Sequence, residues 1–349
     1  MTPSLTVTGL GGWPEVRAGD DLAALVLAAL AGAGLQLADG DVLVVSSKVV
    51  SKSLGLVAAS SPREDVIAGQ TRRVVAERLT PGGVTRVVEA VAGPVMAAAG
   101  VDASNAGRTG GLLLLPADPD DVAAALLRRL SALAALGGAV PDTAAPRVGL
   151  VLSDTAGRPW RVGQTDFALG SAGLVVAEDL RGTVDADGVE LAVTVRAVAD
   201  EVAAAADLVK GKADRVPAAH LRGLAHLVGG GAGAADLVRV GAQDWFSLGH
   251  VEAVRAALGV RPGTQEAAAA GIPSTLPEDR AAVVARCLRV ALHGQGADIV
   301  AARADDRVTL AGPDAFRLGF VTSRLVTSLA AEGVGATVHR VNGAAEVRF

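Results

Sequence analysis

Four lysines stand apart in a chain that otherwise carries its positive charge on arginine: Lys48, Lys52, Lys210 and Lys212 are the full set among 32 basic residues. They form two clusters, Lys-x-x-x-Lys and Lys-x-Lys. A lysine ammonium is a compact point charge suited to a phosphate oxygen, whereas arginine presents a planar fork. Lysine kept at only two places points to sites that need an ammonium; chance placement is the plainer alternative. Asp102 lies in a Gly-rich run with Ser104 and Asn105, one of two asparagines in the chain. Small polar side chains at that spacing either cap a helix or ligate a metal. Asp154 directly follows a strongly apolar run and precedes Thr155. Carboxylates, a hydroxyl and phosphate oxygens make a site for a hard cation such as Mg²⁺ or Mn²⁺, with a capped turn as the alternative for Asp154. Arg158, Trp160, Arg161 and Gln164 crowd one segment. Two guanidinium groups beside an indole suit an anionic, planar ligand; an exposed loop with a packing tryptophan is the alternative.

Other chemistries lack their motifs. There is no Walker A sequence and no Gly-x-Gly-x-x-Gly after a strand. Neither a Gly-x-Ser-x-Gly elbow nor a His-Glu-x-x-His pair occurs. Phosphoryl transfer to a carboxylate accounts for the inventory: metals neutralise a triphosphate, lysines hold it, and an amine displaces the acyl phosphate. Metal-assisted hydrolysis of a phosphate ester would use nearly the same residues.

The elements that must position these residues follow from pattern. The run 41–46 is almost continuously apolar, as a strand buried on both faces requires, and 147–152 repeats that character. Further strands are expected at 5–8, 84–91, 112–115, 174–177 and 191–195. Helices are expected at 20–33, 65–79, 119–130 and 196–209, with Asp20 and Asp21 as helix-start residues of the first. The segment 156–165 reads as a loop, and the glycines of 228–234 as a flexible linker. A second soft stretch covers 261–277. The tail from 278 reads as a small α/β unit of helix, strand near 308–310, helix, and strands at 336–341 and 346–349. The expected organisation is a domain over 1–245, a linker region over 246–277 and the tail over 278–349, separable at about Arg261. The fold class is α/β with mixed sheets.

Composition excludes several functions. With 349 residues, half of them hydrophobic, the chain builds a large core without disulfides or structural metal. A net charge of −5 and the absence of tyrosine argue against nucleic acid as a partner. Mean hydropathy is +0.41, yet the longest uncharged apolar stretch, 22–38, is Ala/Gly-rich and falls short of the about 20 residues a span requires. The N-terminus lacks the basic opening of a signal peptide. The reading is a cytoplasmic protein with no membrane partner, with Cys287 a core thiol in a reducing compartment.

These residues resemble the coenzyme F420-0:L-glutamate ligases. The matching strings are Trp13-Pro14-Glu15-Val16, the run from Gly40 to Lys52, the run from Gly100 to Asn105, the run from Ser153 to Thr165, and Ala197-Val198-Ala199-Asp200-Glu201, in family order. The resemblance implies GTP-dependent addition of L-glutamate to the phospholactyl carboxylate of coenzyme F420-0, or its dehydro form, through an acyl phosphate. GTP is then a co-substrate, Mn²⁺ or Mg²⁺ the metal, and K⁺ an optional further ion. An intertwined homodimer is also implied. By position, Trp13, Pro14, Glu15, Val16, Ser47, Lys52 and Asn105 would lie at the nucleotide. Lys210, Gly211 and Lys212 would close on its phosphates. Asp102 and Asp154 would hold one metal and Thr155 a second, making Asp102, Asp154 and Lys52 the catalytic set. The deazaflavin precursor is left to Arg158, Trp160, Arg161 and Gln164.

The chain departs from the family in places. Gly11-Gly12-Trp13 stands where a single leucine commonly precedes Pro-Glu. Lys212 replaces a Glu or Gln, which bears on the second metal, and Val195 replaces a Glu. Some actinobacterial relatives fuse this ligase to an FMN-binding nitroreductase domain. Asp244-Trp245-Phe246-Ser247-Leu248-Gly249 resembles that join, but the tail is about half that size and lacks the Arg-rich opening for an FMN phosphate, so no FMN is expected. The competing readings are a metal-dependent phosphohydrolase, or a non-catalytic nucleotide- or deazaflavin-binding protein on the same scaffold.

Overall fold

The structure is a computed structural model, and it describes residues 3–103, 111–137, 145–211 and 214–349. In chain order, the elements begin with β1 (Thr6–Leu10), α1 (Leu22–Gly32), β2 (Val42–Ser46), α2 (Ser47–Ser53), β3 (Val57–Ala58), α3 (Arg63–Gly69), β4 (Thr71–Thr80), β5 (Gly83–Ala90), β6 (Val95–Ala97) and β7 (Leu112–Leu113). There follow α4 (Pro119–Gly137), β8 (Gly149–Arg158), β9 (Arg161–Ala172), β10 (Glu178–Asp179), β11 (Val195–Arg196), α5 (Val198–Lys210) and β12 (Ala218–Arg222). The last are α6 (His250–Ala257), α7 (Gln265–Ala270), α8 (Arg280–Leu292), β13 (Val300–Arg303), β14 (Arg307–Ala311), α9 (Ala315–Ala331), β15 (Thr337–Val341) and β16 (Ala344–Arg348).

The chain divides into two compact units. The first takes residues 1–71 and 90–243; the second takes 72–89 and 244–349. In the first unit a five-stranded mixed sheet runs β1-β12-β2-β8-β9. Only β2 and β8 are parallel; the other pairs are antiparallel. Side chains alternate across a strand, so the continuous apolar run of β2 divides between two layers. Leu43 and Val45 face α1 and α4, with Leu150 and Leu152 of β8. Val42 and Val44 face α5, where Val198, Val202 and Ala206 cover them. The central strand is thus apolar on both faces because helices cover both. Asp21 caps α1 by accepting from the amides of Ala23 and Ala24, and its other oxygen takes Arg129 of α4 at 2.8 Å, which holds its carboxyl below the usual carboxylate value.

Several expectations are corrected here. The helix expected at 65–79 is α3 followed by β4. The Thr71–Thr80 segment has its buried side chains two apart, Val75 and Glu77, and turns back through Gly82-Gly83 into β5. Strand packing overrides the helical spacing of its Arg/Glu face. The loop expected at 156–165 is the tip of the β8/β9 hairpin, in which Gly157 pairs with Gln164 and Arg158 with Arg161 around Pro159-Trp160. Of 174–177 only Leu174 forms a bridge, to Val228, and of 191–195 only Val195 lies in a strand. The stretch 228–234 is pinned rather than loose. Asp120, in the first turn of α4, accepts from the amides of Ala234 and Ala235. A Cβ on Gly230 would stand 2.5 Å from the Leu174 carbonyl, so backbone approach demands glycine there, and one on Gly233 would stand 2.2 Å from Asp120 Oδ2 and displace that capping carboxylate.

The second unit holds an antiparallel sheet, β13-β14-β16-β15, and a core of Val308, Leu310 and Val347 with Val284 and Cys287 of α8 and Leu318, Val321 and Leu325 of α9. Strand β13 was not expected. Burial pushes the Cys287 thiol up to about 11, which suits a core residue. The expected linker 246–277 contains α6 and α7 and belongs to this unit. It grips the β4/β5 hairpin. Gly249 N donates to Val75 O at 2.9 Å, Gly263 N to Glu77 Oε2 at 2.7 Å, and Leu79 N to Pro273 O at 2.8 Å. Buried carboxylates are paired, Glu77 with Arg86, Glu252 with Arg78, and Glu332 with both Arg255 and Arg286, while buried Arg324 donates to backbone carbonyls, among them those of Ala291 and Leu258.

Candidate active site

Ser46 at the end of β2 is in register with Ser153 midway along β8, so Ser47 and Asp154 lie side by side where the parallel pairing ends, while β8 runs on against β9. Carboxyl ends of adjacent parallel strands are where α/β sheets bind ligands. Ser47, the first residue of α2, donates from Oγ to Asp154 Oδ1 at 2.9 Å. Asp102 arrives from the other side, held by a two-way backbone bridge with Leu113. Lys48 Nζ ion-pairs with Asp102 Oδ2 at 2.7 Å. Ser51 ties α2 to this wall by donating to the Leu114 carbonyl at 2.6 Å. Ser47, Lys48, Ser51, Asp102 and Asp154 thereby line one pocket, backed by Leu113, Leu114 and Leu115. Burial pushes the Asp154 carboxyl up to about 6; the Ser47 hydrogen bond and the Lys48 charge act against that rise, and Asp166 adds to it.

Thr155 points away from Asp154, as alternation along β8 requires. Its hydroxyl joins Ser153 on the opposite face, where both donate to Asp166 of β9, Thr155 Oγ1 to Oδ1 at 2.6 Å and Ser153 Oγ to Oδ2 at 2.8 Å. Lys210, the last residue of α5, completes this cluster with Nζ at 2.5 Å from Asp166 Oδ2 and 2.6 Å from Ser153 Oγ. Burial alone would raise the Asp166 carboxyl, but the charge and hydrogen bond of Lys210 outweigh it and leave the group below its ordinary value. Lys210, read from sequence as a phosphate ligand, is 4% exposed and spends its ammonium inside the protein.

The remaining residues fall around this centre. Lys52 Nζ meets Glu15 Oε1 at 2.5 Å, joining α2 to the Trp13-Pro14-Glu15-Val16 segment. Val16 is buried in the first core layer and Trp13 packs against it, with the indole N–H buried and without an acceptor among the described residues. Pro14 is exposed, and Gly211 directly follows Lys210 at the end of α5. Asn105 and Lys212 lie outside the described residues. Arg158, Trp160, Arg161 and Gln164 are not with the carboxylates; all four are exposed on the β8/β9 hairpin, Trp160 at its turn with φ +60°. The lysine census singles out Lys48 but not its pairing with Asp102, and sequence reasoning missed Asp166. Asp166 lies just beyond the matched run, and only reading that run as a hairpin places it opposite Thr155.

Among the described residues no three of His, Cys, Asp and Glu gather as a metal cluster. The donor set at the pocket is instead two carboxylates and hydroxyls, all oxygen. That suits a hard cation which keeps water and phosphate oxygens in its shell, and it does not suit a closed zinc site. Such a cation beside Asp154, which is half-buried, would favour its charged form.

Fold and site together define a mixed α/β protein with a pocket of carboxylates, hydroxyls and one lysine beside its central sheet. Residues 12–223 match the family model of F420-0:Gamma-glutamyl ligase. A "Coenzyme F420:L-glutamate ligase" from Halobacterium salinarum is 43% identical over 225 residues, covering 58% of this chain and 80% of the relative. Proteins of the same name from Natronomonas pharaonis and Halorubrum lacusprofundi are 39% and 38% identical, over 60% and 58% of this chain and 81% and 80% of their own lengths. The chain belongs to the F420-0:gamma-glutamyl ligase family. No helix among the described residues is long and apolar enough to cross a membrane.

Proposed function

We propose that this protein is a GTP-dependent ligase that joins L-glutamate to the phospholactyl carboxylate of coenzyme F420-0 or its dehydro form. The observation that carries the reading is the convergence of Asp102, Asp154, Ser47 and Lys48 in one pocket of the family-matched unit. The acceptor carboxylate takes the γ-phosphoryl group of GTP, giving GDP and an acyl phosphate. The glutamate amine then attacks the acyl carbon, inorganic phosphate leaves, and the nitrogen loses a proton. A divalent cation, Mn²⁺ or Mg²⁺, neutralises phosphate charge when bound. Asp102 and Asp154 would hold one such ion and Thr155 a second, with K⁺ as an optional further ion. Ser47 orients Asp154, Lys48 balances Asp102, and Lys52 faces the nucleotide from α2 alongside Glu15. The exposed hairpin arginines, Arg158 and Arg161, with Trp160 and Gln164, offer a surface for the anionic precursor. A cytoplasmic homodimer completes the reading.

The test is mass spectrometry of precursor, GTP, Mn²⁺ and L-glutamate incubated with the protein, with GDP release followed in parallel. A product heavier by one or more glutamyl residues, and GDP release that requires glutamate, are expected. Phosphate release that ignores glutamate identifies a hydrolase instead. Binding of GTP without turnover identifies a non-catalytic protein.

A further inference from the structure

The cluster on the far face of β8 has a hydrogen-bond polarity that decides what Thr155 is able to meet. A hydroxyl has one proton and two lone pairs. Thr155 gives its proton to Asp166 Oδ1 at 2.6 Å. Asp166 has no proton to return, because its second oxygen accepts from Ser153 Oγ at 2.8 Å and from Lys210 Nζ at 2.5 Å. Ser153 is occupied in turn, accepting from Lys210 Nζ at 2.6 Å. Asp166 and Lys210 are both 4% exposed, so water does not compete for these bonds. Thr155 is left with lone pairs alone. It repels a phosphate oxygen, which also offers only lone pairs, and attracts a cation.

We infer that Asp166 is a positioning residue that commits the Thr155 hydroxyl to a divalent cation, with Lys210 serving as its internal counter-charge rather than as a phosphate ligand. The inference rests on the proposed reading that Thr155 faces a second metal ion. A carboxylate that accepts a ligand's proton also raises the electron density on the ligating oxygen, the usual part of partners one bond removed from a metal. In Asp166→Asn the amide is free to donate to Thr155, which turns the hydroxyl proton outward toward the cation's position.

The experiment titrates Mn²⁺ into the full chain with GDP present and reads unbound Mn²⁺ by electron paramagnetic resonance. Wild type is expected to bind two Mn²⁺ per chain. Asp166→Asn should weaken one of them about 10–100-fold, the range for partners of metal ligands. Thr155→Val should weaken the same ion, and the double variant should lose no more than either alone, since both changes act through one oxygen. Mn²⁺ binding by Asp166→Asn that matches wild type overturns the inference and leaves the two-metal reading standing. Wild type that binds no more than one Mn²⁺ overturns the two-metal reading and the inference with it. If Asp166→Asn alone fails to fold, the paired change with Lys210→Met removes both charges of the buried pair together. Wild-type affinity in that pair overturns the inference equally.

Discussion

Replacing Asp154 by Asn should cost the protein its turnover and raise its stability. Asp154 is half-buried, and desolvation pushes its carboxyl up to about 6 from an ordinary 3.8. A group with a raised value in the folded state favours folding relative to its ionised form only while protonated. The penalty is therefore absent below about pH 4, grows as pH rises toward 6, and is complete above it. The gap corresponds to ~3 kcal/mol at about pH 8, taking roughly 1.4 kcal/mol per tenfold change in proton affinity. Asn keeps an acceptor for Ser47 Oγ, so most of that gain should survive in Asp154→Asn. Carboxylates other than Asp166, whose charge acts on Asp154, titrate alike in both proteins and cancel in the comparison. The assay is urea unfolding of metal-free wild type and variant at about pH 4 and about pH 8. The variant should be the more stable at the higher pH by up to ~3 kcal/mol, and the difference should close at the lower. Added Mn²⁺ should stabilise wild type more than the variant, because only wild type offers the full carboxylate charge. A variant no more stable than wild type at about pH 8, or a gap that ignores pH, would refute the argument from burial.

Three further outcomes are expected. Glu332→Ala leaves Arg255 and Arg286 buried with one partner fewer, and should destabilise the second unit by about 3–5 kcal/mol in chemical denaturation; an unchanged transition refutes the pairing argument. Ending the chain before Arg261 removes Gly263 and Pro273 from the β4/β5 hairpin, so the shortened protein should show faster proteolysis within 72–89, contrary to the separable tail read from sequence; cleavage at the wild-type rate shows that the grip is dispensable. Arg161→Ala should weaken calorimetric binding of the deazaflavin precursor and leave GTP binding nearly unchanged, and the reverse pattern would move the hairpin to the nucleotide.

Much of the site was legible because its residue types are rare or expensive to keep. Four lysines in an arginine-rich chain mark positions by their scarcity, and one of them, Lys48, stands in the pocket. Asp154 was legible because a carboxylate following a doubly apolar run has few uses other than capping a turn or meeting a ligand, although the strand itself runs on to Arg158. The two faces of β2 and β8 were legible as well, since a continuous apolar run needs cover on both sides, and α1, α4 and α5 supply it.

Tertiary structure alone decided the rest. Arg/Glu spacing suggested a helix at 65–79, and the segment became β4 because residues distant in the chain, Gly249, Gly263 and Pro273, bond to its backbone or to Glu77. No local pattern encodes a partner some 170 residues away. Soft composition at 228–234 looked like freedom, whereas Asp120 holds the amide of Ala234 and the Leu174 backbone approaches Gly230 so closely that only glycine fits there. Lys210 and Lys48 are the same residue type, yet one is buried against Asp166 and the other faces Asp102. The sequence marked the lysines and carboxylates as candidates for phosphate and cation chemistry. Which of them reach the ligand depended on strand register and on the face of β8 from which each side chain leaves, and only the folded sheet sets these.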